Sequence, residues 1–564
     1  MSARELPGTP VAARFSISIS ISFWSLVMAV SVAIIGLVLL WPLGQVLLLG
    51  FLNPESQGID LAGYSKLLTH PYYLGALWNT LLVGVCGMVG ACLLGIPLAY
   101  CTARYAIKGR HLITTLSVMA LVSPPFIGAY SWIMVLGKNG WLTNQMKTLG
   151  ITLPTIYGAA GIILVFSLKF FPFVYLMTEG ALRNINRSFE EAAENLGCTR
   201  LQRFFKVTLP LVFPATSSGA ILCFVLSIAD FGTPSIIGRD FRTLSTLAYN
   251  QYTSEMGGTP TMAVSISMLM IVISMLAVLL QRHLIGKRRY AGSMTNRHVQ
   301  QPIHGVYSAA IHAGCYGVVA LATLPIAVVI YTSFLQTQGP VFSGGFGLSS
   351  YARVITEVPD VIFNTFRFAL MATLLITGVG ALMSYLIVRR ETRMASFLDA
   401  ILMVPYVVPG VVIAIGFLLT FNRPPMDLVG TGSIIVLILF IRRLPYGIRA
   451  TSSVLRQIKP SIEEAAISLG ASPAKAFFQV TVPLMLPGVV AGAMMSFITA
   501  INELSSTLLL YTAQTTTMPV KVYNAVLDGE FGIAAALSTL LLISSGLCVY
   551  GVLHFSQSKE NAFV

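Results

Sequence analysis

Twelve stretches of roughly 20 or more mainly apolar residues follow one another along this chain, each long enough to cross a bilayer as a helix. Such stretches are read as membrane-spanning helices. The first six lie near 23–52, 75–104, 112–137, 155–180, 212–232 and 260–284. The second six lie near 307–334, 362–388, 397–421, 431–450, 485–511 and 531–556. Apolar residues make up 55% of the 564 and charged residues only 10%, against about 25% charged in ordinary soluble domains. The expected class is an all-α polytopic membrane protein with about 12 transmembrane helices.

The net charge is +14. In a soluble chain that would suggest nucleic acid; in a membrane protein, basic residues collect in cytoplasmic loops, so membrane lipid is expected around the chain and no nucleic acid. One set of loops holds Arg104, Lys108 and Arg110, then Arg183, Arg187, Arg200, Arg203 and Lys206, then Arg282, Lys287, Arg288 and Arg289. The same set continues with Arg389, Arg390, Arg393, Arg449, Arg456, Lys459 and Lys475. These loops are assigned to the cytoplasm, which places both termini inside. The expected division is a cytoplasmic N-terminus 1–22, a first half 23–284, a basic cytoplasmic linker 285–306, a second half 307–556 and a tail 557–564. The first apolar stretch is too long for a signal-peptide core and no small-residue cleavage site follows it, so no cleavable signal is expected. Seven cysteines form no Cys-x-x-Cys pair or Cys/His cluster, so no metal site of that kind is expected.

The two sets of six are an internal repeat. Tyr64 matches Tyr351 at an offset of 287 residues, and Asn79-Thr80, Tyr100 and Arg104 match Asn364-Thr365, Tyr385 and Arg389 at 285. Pro172 and Arg183 match Pro445 and Arg456 at 273. Six crossings per half give both halves one orientation, with a pseudo-twofold axis along the membrane normal and a pathway between them.

The longest cytoplasmic loop of each half carries the same pattern. The first reads Glu190-Glu191-Ala192-Ala193-Glu194-Asn195-Leu196-Gly197, then Phe204-Phe205 and Val207-Thr208-Leu209-Pro210. The second reads Glu463-Glu464-Ala465-Ala466-Ile467-Ser468-Leu469-Gly470, then Phe477-Phe478 and Val480-Thr481-Val482-Pro483. Each predicts a short helix, a glycine stop and a second helix. Ser188 and Ser461 are expected as N-caps with Glu191 and Glu464 as capping-box partners. The alanine pairs leave a small face that another protein surface can approach, Gly197 and Gly470 permit a left-handed turn, and Pro210 and Pro483 mark the re-entry toward the membrane.

This loop resembles the EAA motif of ABC importer permeases: Glu-Ala-Ala, three residues, Gly, nine residues, an aliphatic residue, then Leu-Pro. Both copies keep that spacing, with Val207, Val480 and Val482 as mild departures. The resemblance implies the type I ABC importer permease fold, with two homologous six-helix halves fused in one chain. It implies that Glu191, Ala192, Ala193, Gly197, Glu464, Ala465, Ala466 and Gly470 form two coupling loops that dock on two copies of an ATPase subunit. It also implies a periplasmic solute-binding protein and a place in the inner membrane. The chain has no Gly-x-x-x-x-Gly-Lys-Ser/Thr phosphate loop. ATP and Mg are therefore expected on the partner ATPase, with no cofactor and no enzymatic activity in this subunit.

Two further segments, Asp230-Phe231-Gly232-Thr233-Pro234 and Asn502-Glu503-Leu504-Ser505-Ser506-Thr507, together with Tyr523-Asn524-Ala525, are similar to the ferric-iron permeases. Thiamine and 2-aminoethylphosphonate permeases have related motifs, so iron(III), a phosphonate and another small solute all stay open. Four ionisable residues sit in the apolar stretches as repeat partners: Lys169 with Arg442, followed by Arg443, and Asp230 with Glu503. Charge at that depth faces a cavity or a partner. One reading has Lys169 and Arg442 contacting an anion in the pathway and Asp230 and Glu503 a cation or gate; the other has the basic groups snorkelling or pairing with the two carboxylates. His312 and His554 read as interfacial or packing residues. A secondary transporter, which also has two six-helix halves, is the rival class, but it has no need of twin loops with this spacing.

Overall fold

A computed structural model describes residues 23–51, 58–59, 61–185, 187–254, 259–286, 300–339, 341–390 and 392–560. The N-terminal stretch 1–22, most of the linker with Lys287, Arg288 and Arg289, and residues 561–564 of the tail lie outside the described residues. The first half runs through α1 (Phe23–Phe51), α2 (Pro71–Arg104), α3 (Arg110–Val122), α4 (Pro125–Leu136) and α5 (Ala159–Asn184). It continues through α6 (Arg187–Asn195), α7 (Leu201–Ala229), the short α8 (Gly232–Ile237) and α9 (Pro260–Gly286). The second half repeats the order with α10 (Gly305–Ser333), α11 (Pro359–Arg389), α12 (Arg393–Val407), α13 (Gly410–Thr420) and α14 (Gly432–Leu455). It ends with α15 (Pro460–Ser468), α16 (Pro473–Ile501), the short α17 (Thr507–Leu510) and α18 (Phe531–Glu560). Two short antiparallel hairpins, Leu335–Gln338 with Val341–Phe346 and Asn422–Arg423 with Met426–Asp427, lie in the connections after α10 and after α13.

Among the described residues nine helices are long and apolar enough to span, or eleven when each bent pair counts once. The twelfth expected span is α14, 24 residues long, whose Arg442, Arg443 and Arg449 dilute its apolar character. Two expected spans are not continuous. The stretch 112–137 divides into α3 and α4, bent by 100°, and 397–421 into α12 and α13, bent by 107°. Proline causes both breaks: it has no amide to give the helix and forces its predecessor to extend. Ser123, before Pro124-Pro125, has ψ 141°, and Val408, before Pro409, has ψ 130°.

Each half is built around one trio, α2, α5 and α7 in the first and α11, α14 and α16 in the second. Glycines let the axes close up: a Cβ on Gly95 would stand 2.9 Å from the Phe171 carbonyl oxygen, and one on Gly492 2.9 Å from the Gly447 Cα. The first helix of each half crosses to the other. α1 lies on the second half, where Trp24 stacks on Tyr385 with ring centres 3.9 Å apart. Farther along α1, a Cβ on Gly416 of α13 would stand 2.8 Å from the Pro42 carbonyl oxygen. α10 lies on α3 and α4. Its start is pinned to the loop before α3: Tyr316 donates to the Lys108 carbonyl at 2.7 Å and His312 Nε2 accepts the Lys108 amide at 3.2 Å. His312 is therefore a structural pin, as expected of it.

Candidate functional site

The loop helices α6 and α15 end in the same way. Gly197 has φ +81° and Gly470 φ +92°, the left-handed region that favours glycine. Cys198 donates its amide to the Ala193 carbonyl (3.0 Å) and Gly197 donates to Glu194 (2.9 Å). Ala471 donates to Ala466 (3.1 Å) and Gly470 to Ile467 (2.9 Å). Both are complete Schellman caps, which satisfy carbonyls that a helix end otherwise leaves open. The helix starts differ from the expectation. α15 begins at Pro460 after Lys459, so Ser461 is already inside the first turn, and α6 begins at Arg187 with Ser188 inside it. Neither serine is the N-cap; in α15 proline at the first position, where no amide is needed, starts the helix instead.

The carboxylate that anchors each loop helix is the neighbour of the one the motif singles out. Glu190 and Glu463 are buried, whereas Glu191 and Glu464 are exposed. Glu190 Oε1 accepts from Arg104 at 2.6 Å and from the Thr208 hydroxyl at 2.8 Å. Glu463 accepts from the Tyr385 hydroxyl and, at 3.3 Å, from Thr481. Each carboxylate thus ties the loop helix to the end of α2 or α11 and to the start of α7 or α16. The signal was in the repeat, since Glu190 and Glu463, Thr208 and Thr481 are all partners at one offset. The outward face carries Ala192, Ala465 and apolar side chains: Leu196 is 85% exposed and Leu469 89%, flanked by exposed Phe189 and Ile462. Ala193 is buried and Ala466 half-buried. The re-entry is a wide turn within a continuous helix rather than a break. π-helical turns cover Phe204–Thr208 and Phe477–Thr481, just ahead of Pro210 and Pro483, whose rings would clash with an ordinary α-turn.

The four intramembrane charges all sit at helix breaks. Lys169 on α5 donates to the carbonyls of Ala120 (2.7 Å) and Leu121 (2.6 Å) and to that of Ser123. These are the open carbonyls of α3 at its bend, where the helix dipole also favours a cation. Arg442 occupies the equivalent bend, against Gly410, and both Arg442 and Arg443 pair with Glu503. Asp230 Oδ2 accepts the Thr233 amide at 2.8 Å and Glu503 Oε1 the Ser506 amide at 3.1 Å, so the two carboxylates cap α8 and α17. Lys169 and Asp230 do not form a contact pair, but each lies within electrostatic reach of the other, as do Asp230 and Glu503. The two segments meet between the halves: a Cβ on Gly232 would stand 3.2 Å from Leu504. Among the described residues no three His, Cys, Asp or Glu side chains cluster as metal ligands. Lys169→Met leaves the α3 carbonyls unpartnered in an apolar setting and is expected to lower stability by about 1.5–3 kcal/mol. Thermal unfolding of the purified protein measures this, and an unchanged midpoint contradicts the capping role.

The family model described as the binding-protein-dependent transport system inner membrane component matches twice, over residues 92–290 and 376–559. The ferric transport system permease protein FbpB of Actinobacillus pleuropneumoniae is 29% identical over 491 residues, 85% of this chain and 70% of its own length. The Fe(3+)-transport system permease protein FbpB 2 of Haemophilus influenzae is 25% identical over 94% of this chain and 97% of its own. The putative 2-aminoethylphosphonate transport system permease protein PhnV of Salmonella paratyphi A is 26% identical over 39% of this chain and 83% of its own. The paired loops, the duplicated six-segment order and the two matches agree: this chain belongs to the binding-protein-dependent transport system inner membrane component family, as a fused ABC importer permease carrying both copies of the domain.

Proposed function

We propose that this chain is the membrane pathway of an ABC importer for iron(III). Its two loop helices face the cytoplasm, both termini lie on that side, and each loop docks on one copy of an ATPase subunit. A separate periplasmic solute-binding protein delivers the solute. The observation that carries this reading is the pair of identically capped loop helices, each presenting small and apolar residues outward at one end of the molecule. An apolar face built around Leu196 and Leu469 is costly to leave in water and suits burial in a partner's groove. The iron assignment is supported by the two ferric relatives, which span most of this chain. The phosphonate relative aligns with 39% of it, and the two candidate cations for an anion are already held, Lys169 by carbonyls of α3 and Arg442 by Glu503. Asp230 is the pathway candidate among the four charges: it is only half-buried and holds a single backbone amide, and Asp230→Asn preserves that cap while removing the charge.

Reconstituted alone, the chain is expected to hydrolyse no ATP and to take up no solute, because it has no phosphate loop. Uptake driven by a proton or sodium gradient alone would mark it as a secondary transporter. The solute is tested in cells: deletion of the gene is expected to abolish uptake of radiolabelled ferric iron and to spare that of 2-aminoethylphosphonate. The reverse result overturns the iron assignment.

A further inference from the structure

The two loop helices are anchored by different parts of the molecule. In the first half, Glu190 is held by Arg104, an ion pair formed within that half. In the second half, Glu463 accepts from the Tyr385 hydroxyl, and Tyr385 is itself held by a residue of α1. Trp24 is 4% exposed and stacks on Tyr385 with an interplanar angle of 16°. Its ring also meets Phe477 edge-on, with centres 5.2 Å apart, and Phe477 opens the wide turn that follows α15. One indole therefore touches both the tyrosine that reaches into α15 and the phenylalanine in the wide turn of α16 that follows the loop. Leu386, Leu455, Met485 and Val489 close a small separate apolar cluster around these rings.

Among the described residues the first half has no equivalent clamp. Tyr307 and Trp24 each stand the same distance ahead of a proline, Pro325 and Pro42, in the crossing helices α10 and α1. Tyr307 reaches the Tyr105 hydroxyl at 3.2 Å, beyond the tyrosine of the loop anchor, and is itself exposed.

We propose that Trp24 is a positioning residue for the second ATPase-docking loop, so that the placement of α15 is set by a helix belonging to the opposite half. This role rests on the reading that α15 docks on an ATPase. A motion imposed on α15 then passes through Glu463 and Tyr385 into α1 and hence across the interface between halves, while a motion of α6 passes first to Arg104. Two loops related by sequence become unequal in what they pull on. Tyr385→Phe keeps the ring stack and removes only the hydroxyl bond to Glu463. Trp24→Phe keeps an aromatic contact, and Trp24→Ala removes it.

Hydrogen exchange of the full chain in lipid nanodiscs reads the effect directly. Trp24→Ala is expected to speed exchange of the amides in 460–471 by about tenfold, the upper range for loss of one aromatic pair, with 187–198 unchanged. Trp24→Phe should recover most of that protection, and Tyr385→Phe should lose protection at 460–471 alone. In the complex with its co-purified ATPase, Trp24→Ala should lower solute moved per ATP hydrolysed at least several-fold without releasing the ATPase. Unchanged exchange at 460–471 in Trp24→Ala, or an equal rise at both loops, overturns the proposal. If Trp24→Ala does not accumulate, unchanged exchange in Tyr385→Phe does so on its own. Failure of the unsubstituted chain to bind any ATPase defeats the docking reading instead, whatever the exchange shows.

Discussion

Glu503→Ala is expected to produce the largest loss of stability of any single change in the membrane interior. The side chain is buried and is the shared partner of Arg442 and Arg443; it also accepts the Ser506 amide and hydroxyl at 3.1 and 2.9 Å. Removing one member of a buried ion pair strands the other charge and typically costs about 3–5 kcal/mol, and here two guanidinium groups are stranded. Glu503→Gln should be milder, because an amide oxygen still accepts from the arginines and from Ser506. Asp230→Asn should be milder again, since asparagine caps a helix about as well as aspartate. Yield and thermal midpoint of the three variants in detergent give the ranking. A Glu503→Ala protein as stable as its parent would falsify the view that this triad braces the break between α16 and α17. Transport per folded molecule is a separate readout: loss of it in Asp230→Asn at normal yield places that carboxylate on the solute route.

Gly197→Val combined with Gly470→Val is expected to lower transport by more than tenfold while leaving insertion and yield intact. No heavy atom lies within 4 Å of where either Cβ would sit, so space is not the obstacle. The obstacle is conformation: a left-handed residue with a side chain costs roughly 1–2 kcal/mol, and a β-branched one is a true outlier there. The loop escapes by unwinding its cap, which releases the bonds from Cys198 to Ala193 and from Ala471 to Ala466, and Leu196 and Leu469 lose their presentation. Gly197→Asn with Gly470→Asn is the control, because asparagine tolerates this region. Retained uptake in the asparagine pair with loss in the valine pair identifies the turn as the cause; loss in both points to contact between these positions and the partner. Normal uptake in the valine pair removes the loops from the mechanism.

Both of these sites could be read in the amino-acid sequence, to different depths. The glycine stops were visible because a cap is local: a short helix, a glycine and a repeat at constant offset leave one solution. The intramembrane charges were visible as anomalies, and the pairing of Arg442 with Glu503 was one of the two readings; the partners of Lys169 were not visible. Lys169 meets carbonyls of α3, and backbone acceptors leave no mark in a sequence. Pro124, Pro125 and Pro409 stood in plain view inside apolar runs, yet an unbroken run reads as one helix unless the proline is given more weight than hydropathy. Glu190 and Glu463 were passed over for their neighbours because helical phase decides which of two adjacent glutamates faces inward, and that phase depends on where the helix starts. Ser188 and Ser461 misplaced that start by a residue or two. The crossing of α1 and α10 had no signature, since an apolar face reads the same whichever half covers it.

That crossing has a consequence in time. A chain emerging from the ribosome makes α1 ahead of α2 to α18, but the surface that receives Trp24 and Pro42 belongs to Tyr385 and Gly416, more than half the chain later. At ordinary elongation rates the delay is on the order of tens of seconds, during which α1 sits in the bilayer with its packing face turned to lipid or to a temporary neighbour. α10, made in the middle, finds α3 and α4 already present. The start of α1 is thus seated late, and its seating closes the two halves over one another like a clasp. A chain truncated after its first half would keep the end of α1 on Tyr64 and still leave its start without Tyr385 and Gly416.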